Sequence, residues 1–100
     1  MPSQKHTCTA EANVLIDNEH VRVTRWSFGG EGDNTGWHRH AYDYVVVPLF
    51  DGKLEIENPR GQFSVAELRN GEPYYRPSGV EHDVINANPF SCAFIEIELK

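Results

Sequence analysis

The sequence predicts an all-β domain. Turn signals built from Gly, Pro, Asn and Asp recur about every 8–12 residues. The stretches between them alternate apolar with polar residues or are rich in Val, Ile, Tyr and Phe. No window sustains a helical period of about 3.6 residues. About eight to ten short strands are therefore expected. They belong to one domain, because 100 residues support a single core of modest size.

Residues 1–12 are polar and are expected to fray or to drape over a partner; His6, among them, reads as solvent-exposed. Val14-Leu15-Ile16 reads as a strand and Asp17-Asn18-Glu19 as the turn of a hairpin, with His20 structural at its edge. The returning strand, residues 21–28, puts Val21 and Val23 on one face and Arg22, Thr24, Trp26 and Phe28 on the other. Such two-sided apolar content suits one face to the interior and one to another sheet or subunit. Arg22 or Arg25 is a candidate to hold a substrate carboxylate, against the alternative of a solvated surface arginine for each. Residues 29–36 carry four glycines, Gly29, Gly30, Gly32 and Gly36. No helical pattern follows them, which excludes a phosphate-binding loop; they suit a tight turn into the next strand.

Residues 37–49 read as one strand, rich in Tyr and Val. Asp51-Gly52 is a hairpin turn dipeptide, and residues 53–57 alternate as a strand does. Asn58-Pro59-Arg60-Gly61 turns the chain into residues 62–68, where Phe63, Val65 and Glu67 share a face. Asn70-Gly71 leads to residues 73–76, and Pro77-Ser78-Gly79 turns into a strand that holds His82 and ends at Asn86. Asn88-Pro89 is the last turn. Residues 90–99 form a long strand with Ala93, Ile95, Ile97 and Leu99 on one face and Cys92, Phe94, Glu96 and Glu98 on the other. Should the second face look inward, Glu96 is a buried carboxylate near His38, His40 and His82, and buried acids are costly unless paired.

The chemistry is concentrated in His38, His40 and His82. On a regular strand His38 and His40 leave the same face about 6–7 Å apart at their bases. Two imidazoles so placed can converge on one ion with bonds of about 2.0–2.1 Å. His82, just past a turn and opening an apolar run, is the candidate third ligand.

The surroundings of these histidines resemble the two motifs of the cupin superfamily. Gly32, five residues, His38-Arg39-His40 and the closing Gly52 match G-x5-H-x-H-x3-4-E-x6-G, across residues 32–52. Gly71, Pro77, Gly79, His82 and Asn86 match every fixed position of G-x5-P-x-G-x2-H-x3-N, across residues 71–86. The run TGWHRHAYDYVVVPLFDG is similar to small single-domain cupins linked to β-alanine degradation. The resemblance implies a single jelly-roll (double-stranded β-helix) barrel, a metal site at His38, His40 and His82, and a structural role for Asn86.

The first motif's glutamate is absent; Tyr44 or Val45 stands in its place. Strand parity points Tyr42 and Tyr44 inward with the histidines and Asp43 outward, unless a β-bulge turns Asp43 in as a fourth ligand. Tyr44 is accordingly expected beside the ion, orienting bound oxygen or substrate. Three neutral imidazoles leave a divalent ion its full charge, which favours a small anionic substrate or ligand. The resemblance points to three-histidine iron dioxygenases of thiols and β-diketones, so Fe2+ is favoured, with Zn2+, Ni2+ or Mn2+ as alternatives. On zinc, the same ligands suit a hydrolase or isomerase. A cupin that binds a metal or small ligand without turnover, as a sensor or accessory protein, is the non-enzymatic alternative.

Composition narrows the remaining classes. A net charge of −6 argues against nucleic acid, which needs clustered Lys and Arg. No stretch approaches the about 20 apolar residues of a membrane span, and the first residues lack an apolar signal core, so a cytoplasmic location is expected. Cys8 and Cys92 form no C-x-x-C and read as free thiols. Open sheet edges make a symmetric homodimer the expected assembly.

Overall fold

The computed structural model describes residues 8–100. The polar segment is therefore seen only in part, and His6 lies outside the described residues. Among them there are nine strands and no helix: β1 (Glu11–Asp17), β2 (Val21–Phe28), β3 (His38–Arg39), β4 (Asp43–Pro48), β5 (Gly52–Glu57), β6 (Phe63–Leu68), β7 (Tyr74–Arg76), β8 (Glu81–Asn86) and β9 (Cys92–Leu99). No helix of the described residues is long and apolar enough to cross a membrane.

The strands form two sheets, ordered β1-β2-β9-β4-β7 and β3-β8-β5-β6. No ladder joins the two, so the expected closed barrel is instead a roll of two facing sheets. Two local expectations change for the same reason. The predicted strand over residues 37–49 breaks at residues 40–42, because the chain leaves one sheet there for the other. Tyr42 falls at that crossing and is exposed, not inward. Asp51-Gly52 likewise joins β4 to β5 across the sheets, and is no hairpin.

The β1–β2 hairpin forms as expected, its turn fixed by Asn18, whose Oδ1 accepts from the backbone N–H of His20 and Val21 at 2.8 and 2.9 Å. β1 runs farther back than Val14, and Thr9 and Ala10 donate to the Asn34 carbonyl, so residues 9–12 are pinned and not frayed. His20 is solvent-exposed, not structural.

The inner face of the five-stranded sheet changes character along its strands. Register places Phe28 beside Cys92, Trp26 beside Phe94, Thr24 beside Glu96 and Arg22 beside Glu98. β4 continues these rows with Pro48, Val46 and Tyr44. One end is thus apolar, and there Phe28, Phe50, Leu54 and Phe94 form the core with Val46, Val84 and Cys92. The other end is polar and faces β3 and β8.

The ends of the two sequence motifs meet in a buried amide network. Asn86 donates from Nδ2 to the carbonyls of Gly30 and Phe90 at 3.0 and 2.9 Å, and its Oδ1 accepts from Asn88 N and Nδ2. Asn88 in turn brackets Lys53, accepting from its N–H and donating to its carbonyl. Asn86 is structural, as the resemblance implied. Gly52 lies against this network: a Cβ there would sit 2.3 Å from Asn88 Oδ1. Gly52→Ala is therefore expected to cost about 1–3 kcal/mol by overpacking. Gly30→Ala meets nothing within 4 Å and should change stability by less than about 0.5 kcal/mol. Urea titration of both variants checks the contrast.

Candidate metal centre

β3 and β8 pair antiparallel with His38 directly opposite His82. Past β3 the pairing persists for one residue: His40 N–H donates to the Val80 carbonyl and Gly79 N–H to the His40 carbonyl, each at 2.8 Å. Gly79 makes this possible by taking φ 90°, a conformation glycine adopts without cost. All three imidazoles therefore leave one short ladder.

Their Nε2 atoms converge. His38 Nε2 lies 3.0 Å from His40 Nε2, and His40 Nε2 lies 3.2 Å from His82 Nε2. The rings stand edge-on to one another, at 69–88°. Bonds of about 2.0–2.1 Å to one ion place ligand nitrogens about 3.0 Å apart at octahedral angles and about 3.4 Å apart at tetrahedral ones. The observed spacing falls between these values.

Tautomers point the same way. His38 Nδ1 lies 2.9 Å from the Gly36 carbonyl, which can only accept. Nδ1 thus carries the proton, and Nε2 of the neutral ring offers a lone pair, the arrangement that outer partners impose on ligating histidines. A proton on His40 Nε2 can serve one neighbour and not both; one cation between the three satisfies every lone pair. Burial, with the neighbouring His38, pushes the His40 pKa down to about 4. Burial, then His38, His40 and Arg76, pushes His82 down to about 3. Both rings are neutral and ready to ligate near pH 7.

The loop before β3 is tied to β8. Asp83, fully buried, accepts from Asn34 Nδ2 at 2.9 Å and from Gly36 N–H at 3.1 Å. Thr35 N–H donates to the Val84 carbonyl at 2.9 Å, and its Oγ1 accepts from Val84 N–H at 3.2 Å. Gly32 and Gly36 take φ 90° and 86°, as a glycine-rich turn into the site requires.

Around the histidines the remaining expectations separate. Tyr44 is buried and its ring stacks on His40 with centroids 3.8 Å apart; burial raises its pKa, so the phenol keeps its proton. Asp43 points outward, accepting from the Tyr75 hydroxyl and, at 2.9 Å, from Ser78 N–H, and no bulge turns it in. Glu96 does face inward, 8% exposed. Its carboxylate can approach within 4.8 Å of a His40 nitrogen and of Glu98. Burial, then Glu98, pushes its pKa up to about 7, against a hydrogen bond from Trp26. Arg22 is inward but engaged by Asp17 and Glu98 at 3.5 and 3.6 Å. Arg25 lies on the opposite face and is exposed. Cys8 and Cys92 are free.

A pocket of about 270 Å3 opens beside His82, lined by Tyr44, Tyr74, Arg76 and Glu96 from one sheet and by Ile56 and Val84 from the other. A larger depression of about 560 Å3 includes Arg25, Ser91 and Ala93 but none of the three histidines. The smaller pocket is the chemically relevant one. Sequence reasoning missed Tyr74 and Arg76. The register pairs Val46 with Tyr74 and Tyr44 with Arg76, a cross-strand pairing that a three-residue strand between prolines does not announce.

The chain is 50% identical over 91 residues to the β-alanine degradation protein BauB of Pseudomonas aeruginosa, covering 91% of this chain and 94% of that one. It is 49% identical to a cupin domain from Bordetella pertussis solved by crystallography, with a TM-score of 0.87 over 93% of this chain and 95% of the other. The chain belongs to the cupin family. No family model matches it. An RmlC-like cupin from Methanocaldococcus jannaschii, 16% identical, has a TM-score of 0.73 over 93% of this chain and 82% of that chain, and shares its double-stranded β-helix fold. Within this cupin the histidine cluster could hold one metal ion.

Linkage fixes the pH dependence of the metal-free cupin. His40 and His82 have folded pKa values below the unfolded value of about 6.5. Their contribution is present above that value and is lost as pH falls toward about 4 and about 3. Glu96 acts oppositely, stabilising at low pH and losing its contribution as pH rises through about 7. Two imidazoles outweigh one carboxyl, so the melting temperature should fall on acidification from about pH 6.5. Glu96→Gln should steepen that fall, and thermal melts from pH 7 to 4 read both effects.

Proposed function

We propose that this cupin is a metal-dependent enzyme acting on a small anionic metabolite, with His38, His40 and His82 as the metal ligands. The observation that carries the reading is the approach of His40 Nε2 to His38 Nε2 and to His82 Nε2 at 3.0 and 3.2 Å, the edge lengths of a coordination polyhedron, with ligand atoms of all three rings within 4.8 Å of one another. A three-histidine iron dioxygenase is the reading favoured here: ferrous iron would supply redox chemistry with dioxygen that the side chains themselves lack. The name of the Pseudomonas relative extends the reading to β-alanine or related amino-acid degradation.

The chain's own groups have defined tasks in this reading. His38 is held in one tautomer by the Gly36 carbonyl. Tyr44 fixes the plane of His40 by stacking and keeps a phenolic proton for hydrogen bonding to substrate. Phe94, Val46 and Val84 exclude water from the pocket floor. Glu96 can take or give a proton near neutrality. That last property favours a second reading, a zinc hydrolase or isomerase, since general acid–base groups work best with pKa values near the operating pH.

We further propose a homodimer in the cytoplasm. β1 supports it, because Val14, Leu15 and Ile16 are each at least half exposed on an edge strand. Sedimentation should give twice the 11.4 kDa chain mass, and a monomer at micromolar concentration would contradict it.

His82→Ala should keep the β-rich circular dichroism spectrum. It should weaken metal binding by more than the 10–100-fold typical of losing an outer-shell partner. Iron-loaded protein should consume oxygen when given β-alanine-related acids, small thiols or diketones. Tight ligand binding with no turnover under any metal would instead favour a sensor or accessory protein.

A further inference from the structure

The pocket beside His82 has one feature that the metal reading leaves unused. Arg76, exposed to solvent, stands at its rim, on the row that also carries Tyr44, Glu98 and Arg22 across the five-stranded sheet. Its guanidinium lies over the Tyr74 ring, 4.6 Å from the centroid, and Nη1 donates to the Tyr75 carbonyl at 2.9 Å. These two contacts fix the plane of the fork while leaving N–H donors free. None of the ion pairs among the described residues involves Arg76. Of the pocket's own carboxyls, Glu81 accepts from the Trp37 indole at 3.1 Å and neither Glu81 nor Glu96 forms an ion pair with Arg76. Arg22, on the same row, is taken by Asp17 and Glu98.

We propose that this pocket is a subsite for a small monocarboxylate, whose carboxylate is held by the Arg76 guanidinium while its other end reaches toward His82. A planar, oriented guanidinium matches a carboxylate in two parallel hydrogen bonds. The walls between the two ends are apolar, from Ile56, Val80, Val84 and Phe94, which suits a short hydrocarbon linker. The size is restrictive: about 270 Å3 is some nine water volumes at about 30 Å3 each, below the range of about 300–1,000 Å3 for drug-sized ligands. The inference rests on the reading of the histidine cluster as a small-ligand site, and supplies the cation for an anionic substrate that Arg22 and Arg25 do not.

Propionate is the probe, with propionamide as its neutral isostere and inorganic phosphate as a competing anion. Binding is followed by ligand-observed NMR on metal-free and zinc-loaded protein; cobalt absorption separately counts metal ions per chain. Propionate should bind both forms, while propionamide and phosphate should not. Arg76→Gln should weaken propionate about tenfold or more, with Arg76→Lys in between, and leave cobalt binding at one ion per chain. Thermal melts confirm that both variants fold. Unchanged propionate affinity in Arg76→Gln, binding of propionamide or phosphate equal to that of propionate, or no propionate binding to the parent would each overturn the subsite. Failure of cobalt to bind, with Arg76-dependent propionate binding intact in metal-free protein, would remove the metal reading and leave the subsite standing.

Discussion

The short antiparallel pairing of β3 with β8 is the constraint on which the site depends. It sets His38 opposite His82 and carries His40 alongside Val80. A shift of one residue would turn an imidazole to the other face, because side chains alternate strictly along a strand. Two residues of β3 cannot hold such a register alone. The preceding loop does so through Asp83, whose buried carboxylate binds Asn34 and Gly36, and through the reciprocal Thr35–Val84 bonds. A buried carboxylate is costly unless fully paired; here its pairing fixes the geometry of the histidines.

The facing sheet supplies the environment. Its inner surface grades from aromatic and aliphatic side chains at the Phe28 end to Glu96, Glu98, Arg22 and Arg76 at the other. The apolar half holds the sheets together, and the polar half meets the imidazoles. His40 and His82 are thereby desolvated enough to stay neutral, and His82 opens onto a pocket that also holds the Glu96 carboxyl and the Arg76 guanidinium. One carboxyl pushed up to about 7 beside imidazoles pushed down shows the same cause acting with opposite sign: burial disfavours whichever form is charged.

Much of this was legible in the sequence where information is local. Gly, Pro and Asn punctuation located the strands, and motif spacing named the three histidines and Asn86. Parity along one strand placed Tyr44 inward and Asp43 outward, and posed the question of Glu96 that its 8% exposure answers. What was not legible is which sheet a strand joins. Asp51-Gly52 has the composition of a hairpin turn, but partner choice is decided by β9 and β8, far away in the chain. Parity alone points Tyr42 inward, because a crossing at residues 40–42 leaves no mark on a Tyr- and Val-rich run. The face taken by Arg76 is not written in its own strand, because β7 is three residues long and lies between prolines, too short for alternation to declare a face.

X-ray absorption at the metal edge of the zinc-loaded protein reads the ligands of a bound ion. Ligation by His38, His40 and His82 gives a first shell containing three imidazole nitrogens at about 2.0–2.1 Å, with the multiple scattering that imidazole rings produce. A shell built from sulfur, or from oxygen without imidazole scattering, would contradict it.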